Sequence, residues 1–291
     1  MFIKKKNIIM KKIFVIITVW AAMLFFGCDR IEGPYLVPSE NEEVTVTFPD
    51  LDVSSVYRKV LIEEFTGHRC MNCPSGHRKL EELHERFGDT LVAVGIHAGA
   101  LAVPDAAEGY PYDFRTSVGN ELAQEFTIDG IPAAIINRYP VAGGWGPARW
   151  LSKINAIDRS TPLAAIQLIN EYNAQTGALK ANAQITLLQP CSNPLRLAFY
   201  LIEDGIVKPQ LDGSEYVENY VHNHVLRASL NGTYGTLLNT NGYLETGKGY
   251  TLAHKINLSG HDWNPANCTV VAILYDRTAG DVLQVETMKV M

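Results

Sequence analysis

The sequence predicts an α/β domain over residues 58–160 followed by an all-β domain over residues 161–291. Three features of the chain lead to this division. Two short apolar runs flank an amphipathic helical stretch between Val60 and Ile96. A second helical stretch, a proline-led apolar run and a last helical stretch follow as far as Ile157. Beyond Thr161-Pro162, helical periodicity gives way to strand-length segments punctuated by Gly and Asn.

Composition narrows the class of protein. Apolar residues make up 47% and charged residues 19% of 291, which is globular and excludes both a disordered chain and a multi-span membrane protein. The formal net charge is −6 and no basic run follows the first dozen residues, so the chain has no electrostatic footprint for nucleic acid.

Residues 1–28 form a lipoprotein signal segment. Lys4-Lys5-Lys6 and Lys11-Lys12 precede the apolar run Ile13 to Phe26, which is shorter than the roughly 20 residues that a spanning helix needs. The run ends in Leu24-Phe25-Phe26-Gly27-Cys28, which resembles the lipobox of bacterial lipoproteins. That resemblance implies an acylated Cys28 at the mature N-terminus and a membrane partner engaged through lipid, each buried CH₂ contributing about 0.8 kcal/mol. An ordinary cleaved signal with an incidental Cys28 is the alternative. Residues 29–57 read as a tether in which Val44 to Phe48 is a short strand candidate.

From Val60 to Phe65 a mostly apolar run stops at Thr66-Gly67, as a buried strand does. Pro74 suits a first helical turn, and Leu80, Leu83 and Phe87 make the apolar stripe of a helix that ends at Gly88. Leu91 to Ile96 is a second strand, completing a βαβ unit. Ala98 to Pro111 reads as an insertion, and Ser117 to Phe126 as a helix that Ser117 could cap. Ile131-Pro132 opens a strand through Ile136, where proline's missing N–H is tolerated at the first residue. Trp145 to Ile157 is a helix. The strands expected afterwards are Ala164–Glu171, Leu179–Leu188, Leu195–Ile202, Tyr250–Leu258, Thr269–Tyr275 and Val282–Val290, which suggest an antiparallel, immunoglobulin-like sandwich.

Cys70-Met71-Asn72-Cys73 carries the chemistry. At the start of a helix, Cys70 faces unpaired N–H groups and the positive end of the helix dipole, which favour thiolate, the attacking species. Cys73, one turn further in, would resolve the mixed disulfide. His68, Cys70, Cys73 and His77 could alternatively bind zinc, and a purely structural disulfide is a further alternative. His222 and His224 alternate as strand neighbours do, with a structural or a metal role open. Cys191 and Cys268 each precede an apolar strand, either as a structural disulfide or as two buried thiols.

The dithiol between strand and helix, in an exported chain, together with Ile131-Pro132 some sixty residues on, resembles the thioredoxin superfamily. That resemblance implies a thioredoxin-like domain, a cis bond at Pro132 and contact between Pro132 and the dithiol. His68-Arg69 and Met71-Asn72 depart from the superfamily's usual residues around and within the motif. Over nearly all of its mature length the chain also resembles the 28-kDa outer-membrane protein (Omp-28) lipoprotein family. The resemblance rests on Glu64-Phe65-Thr66-Gly67 running into Cys70, on Gly130-Ile131-Pro132 and on Val221 to Arg227. It implies an outer-membrane location and a suggested adhesin or receptor role.

The expected function is therefore thiol–disulfide exchange by a lipid-anchored envelope protein: Cys70 attacks, Cys73 resolves and Pro132 shapes the groove, with protein thiols or disulfides as substrates. No cofactor and no metal is expected. The rival reading is a surface binding lipoprotein whose thioredoxin-like domain is only a scaffold.

Overall fold

Val60–Thr66 (β1) and Leu91–His97 (β2) pair in parallel, from Val60 opposite Leu91 to Thr66 opposite His97, and Cys73–Phe87 (α1) connects them. The computed structural model describes residues 41–139, 142–239 and 243–291. The expected signal segment, Cys28 and the start of the tether lie outside the described residues. Val44 to Phe48 forms no strand; among the described residues of the tether, Glu42 makes a bridge to Ala253.

Helix α1 ends where the sequence predicts, because Gly88 adopts a φ of 52° there and donates its N–H to the His84 carbonyl. Ser117–Glu125 (α2) is capped one residue earlier than expected: Thr116 Oγ1, not Ser117, accepts the Gly119 N–H at 2.9 Å. Ala133–Ile136 (β3) starts immediately after Pro132 and runs antiparallel to β1. Pro147–Ala156 (α3) closes this half of the chain.

The second half supplies Ala164–Asn173 (β4), Ala178–Leu187 (β5), Leu195–Glu203 (β6), Ile206–Asp212 (β7), Glu215–His222 (β8) and Val225–Ser229 (β9). Thr236–Leu237 (β10), Gly249–Asn257 (β11), Cys268–Asp276 (β12) and Asp281–Lys289 (β13) follow. The protein is β-rich. One large sheet has the order β13-β12-β6-β9-β2-β1-β3, with β10 alongside β6, while β11-β5-β4 form a second sheet and β7-β8 a hairpin. The expected boundary near Thr161 falls between α3 and β4, yet the large sheet takes strands from both sides of it, and Leu36–Met291 is one compact unit.

Alternation along the strands sorts the core into layers. Val60 and Ile62 of β1 pack with Leu80 and Leu83 of α1 and Trp150 and Ile154 of α3. Leu61 and Phe65 face the other way, with Leu122 of α2 and Tyr200 of β6. Leu197, Phe199 and Leu201 of β6 bury against Leu179 to Leu187 of β5, which seals the second sheet onto the first. Fully burying each such side chain contributes about 1.5–3 kcal/mol.

A buried ion pair sits on the α2 face. The Arg138 guanidinium donates to Glu63 Oε1 at 2.8 Å and to the Tyr200 hydroxyl at 2.9 Å, and Glu63 is fully buried. Such a pair fixes geometry more than it adds net stability, since stripping one partner from a buried pair costs about 3–5 kcal/mol.

Cys191 and Cys268 are free thiols, so the disulfide alternative is corrected. Cys268 opens β12 opposite Glu203, the last residue of β6, whereas Cys191 precedes Leu195, its first. Those ends are roughly 26 Å apart at about 3.3 Å per residue. The four-residue step from Cys191 to Leu195 covers at most about 14 Å, leaving more than the ~7 Å between Cα atoms that a disulfide tolerates.

Candidate functional site

Cys70 and Cys73 are joined by a disulfide across the first turn of α1, with Cα atoms 5.4 Å apart. Helix α1 has no side-chain N-cap; the Cys73 N–H donates to the Cys70 carbonyl at 3.3 Å and the Ser75 N–H to the Asn72 carbonyl at 3.1 Å. The Ile131–Pro132 peptide is cis, and the Ile131 carbonyl oxygen lies 3.8 Å from Cys70 Sγ. Cys70 is 2% exposed and Cys73 0%, while Met71 between them is 52% exposed.

What buries the pair is the hairpin β7-β8, which arrives from the second half of the chain. Leu211 N–H donates to the His68 carbonyl and Gly213 N–H to the Met71 carbonyl, both at 2.9 Å. Gln210, itself fully buried, donates its side-chain amide to the carbonyls of Cys70 at 3.2 Å and Gly67 at 3.4 Å. Outside, Arg78 of α1 pairs with Asp212 at 2.8 Å. The register of β7-β8 shifts between Lys208 and Gln210, where Pro209 has no N–H to give the ladder.

Beneath the hairpin lies a small cavity of about 40 Å³ between Glu64 and Thr66 of β1, His97 of β2, His77 of α1, and Tyr220 and His222 of β8. Glu64, Thr66 and His97 share the α1 face of the sheet by alternation. Glu64 is 1% exposed and its Oε1 has no hydrogen-bond partner. Burial pushes its carboxyl well above the usual carboxylate range, so it is neutral. It lies directly under α1, because a Cβ added at Gly76 would meet Glu64 Oε1 at 2.6 Å and the Pro132 Cβ at 3.1 Å. Glycine is therefore required one turn after Cys73.

The histidines gather on this side of the molecule. His97 and His222 lie with ring centroids 5.6 Å apart, His77 and His222 6.4 Å, and His68 and His97 6.5 Å. His77 Nε2 is 2.9 Å from Thr66 Oγ1 and its Nδ1 2.7 Å from the Tyr220 hydroxyl. Burial, helped by Arg69, pulls His68 down to about 4; burial, helped by Arg78, does the same to His77. Burial with His77 nearby brings His222 to about 3, and burial takes His97 well below the usual histidine value. All four are neutral at pH 7.

Sequence reasoning placed the dithiol and Pro132 together and named His68, His77 and His222 as metal-binding or structural candidates. His222 and His224 do not share a strand: His222 ends β8 and His224, with a φ of 57°, is in the turn before β9. The zinc alternative brought Cys70 and Cys73 into one ligand set with His68 and His77. Here the sulfurs bond to each other, and among the described residues no three His, Cys, Asp or Glu side chains are arranged to hold a metal ion. Gln210 and Tyr220 were not singled out, and Glu64 entered only as part of the Glu64-Phe65-Thr66-Gly67 resemblance. The sequence signal for Glu64 is a pair of acidic residues, Glu63-Glu64, inside the apolar run from Val60 to Phe65.

Residues 119–291 match the family described as outer membrane protein Omp28. The chain belongs to the Omp28 family. It is thus an envelope protein of the outer-membrane class, and among the described residues no helix is long and apolar enough to cross a membrane. HBP35 of Porphyromonas gingivalis has a similar fold, with a TM-score of 0.62 at 17% identity over 81% of this chain and 76% of that one. A domain of the outer membrane lipoprotein Omp28 from Porphyromonas gingivalis is 22% identical, with a TM-score of 0.29, over 44% of this chain and 88% of that one. No curated protein matches the sequence.

Lowered histidines make stability depend on acid. Between about pH 4 and 6.5 the unfolded chain binds protons that folded His68, His77 and His222 refuse, so stability rises with pH through this window. Glu64 opposes this from about pH 4.3 upward, because the folded chain keeps its proton, but it is one group against several. Urea unfolding at pH 4.5, 5.5 and 6.5 should show the rise. His222→Gln should flatten it by up to about 1.4 kcal/mol per pH unit, and an unchanged slope would contradict the placement of His222.

Proposed function

We propose that this Omp28-family protein performs thiol–disulfide exchange in the cell envelope through Cys70 and Cys73, in a thioredoxin-like unit spanning residues 58–160. The strand-rich remainder, which we read as an immunoglobulin-like sandwich, carries the hairpin that covers the site. The observation that carries the reading is the joint position of the Cys70–Cys73 bond at the uncapped start of α1 and the unpaired, neutral Glu64 under that helix. Parallel β1 and β2 joined through α1, with β3 antiparallel and beginning after Pro132, also support it.

The chemistry needs few parts. A substrate thiolate attacks Cys70 Sγ, the Sγ–Sγ bond breaks, and Cys73 leaves with the electron pair. Glu64, which lies against α1 at Gly76, three residues after Cys73, is the proton donor we assign to the Cys73 thiolate, and it becomes a carboxylate. In the reverse direction the carboxylate takes the Cys73 proton, and the thiolate so formed attacks the Cys70 mixed disulfide. The Ile131 carbonyl, just before cis Pro132, lies beside the attacked sulfur, where a substrate segment would approach. Protein thiols and disulfides are the substrate class.

A second reading, a surface-binding lipoprotein whose thioredoxin-like unit is a scaffold, draws on one observation, the 2% exposure of Cys70. A trapping experiment separates the two. Cys73→Ser leaves Cys70 without a resolving thiol, so it should accumulate mixed disulfides with envelope proteins, whereas Cys70→Ser should not. Equal trapping by both variants, or by neither, contradicts the exchange reading.

We also propose that the chain is held at the membrane by lipid on Cys28, whose short apolar leader ends in Gly27-Cys28. Cys28→Ser should then move the protein from the membrane fraction to the soluble fraction. Retention on membranes after a high-salt wash would overturn the anchor.

A further inference from the structure

Exchange at Cys73 moves a proton as well as electrons, and the carboxyl that would supply it is sealed in. Glu64 is 1% exposed, packed under α1, with Oε1 lacking any hydrogen-bond partner. A proton lost from Glu64 must be replaced from solvent before the next turnover, so the walls of its cavity decide how fast exchange can run.

Those walls hold a line of exchangeable protons. Glu64 Oε1 lies 3.8 Å from His77 Nε2, which is also 2.9 Å from Thr66 Oγ1. On the far side of the same ring, His77 Nδ1 is 2.7 Å from the Tyr220 hydroxyl. Tyr220 is half-buried and lines the cavity from the covering hairpin, two residues before His222. A neutral imidazole accepts a proton on one nitrogen while releasing one from the other, which makes it a shuttle when its two nitrogens face different compartments. Here one faces Glu64 and the other the hydroxyl of half-buried Tyr220. The cavity's roughly 40 Å³ is also enough for about three water molecules at 10–15 Å³ each.

We propose that His77 and Tyr220 form a proton path between Glu64 and solvent that keeps the buried carboxyl in step with the dithiol. The proposal rests on the exchange reading above. With dithiothreitol as reductant, its thiolate attacks Cys70 Sγ, the disulfide breaks, and Cys73 takes the Glu64 proton. His77 Nε2–H then reprotonates Glu64 through a water bridging the 3.8 Å between them, Nδ1 takes the Tyr220 hydroxyl proton, solvent returns one to the Tyr220 oxygen, and the imidazole regains its starting tautomer by proton exchange before the next turnover. The second reductant thiolate displaces Cys70, which leaves as thiolate, and the reductant ends as its own cyclic disulfide. Electrons come from the reductant and one proton comes from solvent.

The hairpin therefore has a part beyond cover. His77 on α1 and Tyr220 on β8 meet only because β7-β8 is laid across the helix, held by the backbone bonds from Leu211 and Gly213. The charged groups about His77 are the Arg78–Asp212 pair outside and Glu81 at the cavity mouth, with His222 and His224 on the hairpin side. None of these interrupts the line from Glu64 to Tyr220.

The test is the rate at which dithiothreitol reduces the Cys70–Cys73 bond in the full chain, measured in H₂O and in D₂O. Tyr220→Phe keeps the ring contacts with His77 and His222 and removes only the hydroxyl. It should slow reduction by about tenfold or more, enlarge the solvent isotope effect, and leave the equilibrium constant against dithiothreitol unchanged. His77→Gly should be slow as well and be rescued by free imidazole. If Glu64→Gln slows the wild-type rate while Tyr220→Phe and His77→Gly do not, the proton path is overturned and the exchange reading stands. A Tyr220→Phe variant with a shifted equilibrium constant and an unchanged isotope effect marks a structural role and also overturns the path. A wild-type bond that dithiothreitol does not reduce overturns both.

Discussion

Where β9 enters the large sheet, Gly95 of β2 faces Val225, and the Gly95 N–H donates to the His224 carbonyl at 2.7 Å. The approach is close enough that a Cβ at Gly95 would stand 3.4 Å from the carbonyl oxygens of both Asn223 and His224. This seam turns two expected domains into one sheet. Because β9 is fixed beside β2, the chain just before it has to cross the α1 face, and the hairpin β7-β8 lands on the dithiol loop. Burial of Cys70, the cover over Glu64 and the meeting of His77 with Tyr220 all follow from that placement.

The site that results is buried, crowded and neutral. Five ionisable side chains, Glu64, His68, His77, His97 and His222, are held in their uncharged forms by burial. An uncharged cluster avoids the cost of isolated buried charge, yet leaves protons available where a thiolate would form. The opposite face of β1 solves the same problem differently: Glu63 is paired with Arg138, whose guanidinium also lies 4.5 Å from the centre of the Tyr275 ring. Adjacent acidic residues thus take unlike roles because a strand sends neighbours to opposite faces.

How much of this the sequence revealed follows from how each part is encoded. Strands β1 and β2 and helix α1 are local patterns, apolar runs and a stripe at Leu80, Leu83 and Phe87, and the dithiol and Pro132 are readable motifs. The hairpin is not. Its β8 strand is mostly exposed on both faces, and Pro209 interrupts β7, so neither shows the alternation of a half-buried strand. Its place over α1 depends on the β2-β9 seam, a contact between residues 130 positions apart that no local pattern announces. Glu64 was hidden for a related reason, since an acidic residue in an apolar run carries no mark of whether it is paired, as Glu63 is, or alone.

The central claim is that Cys70 and Cys73 form a working redox pair beneath the β7-β8 hairpin. Its most direct measurement is the reduction potential of that pair in the intact protein, by equilibration against thiol–disulfide buffers with alkylation readout. The account predicts a value among exchange proteins, between about −120 and −270 mV. A potential below about −300 mV, where structural disulfides lie, would contradict it.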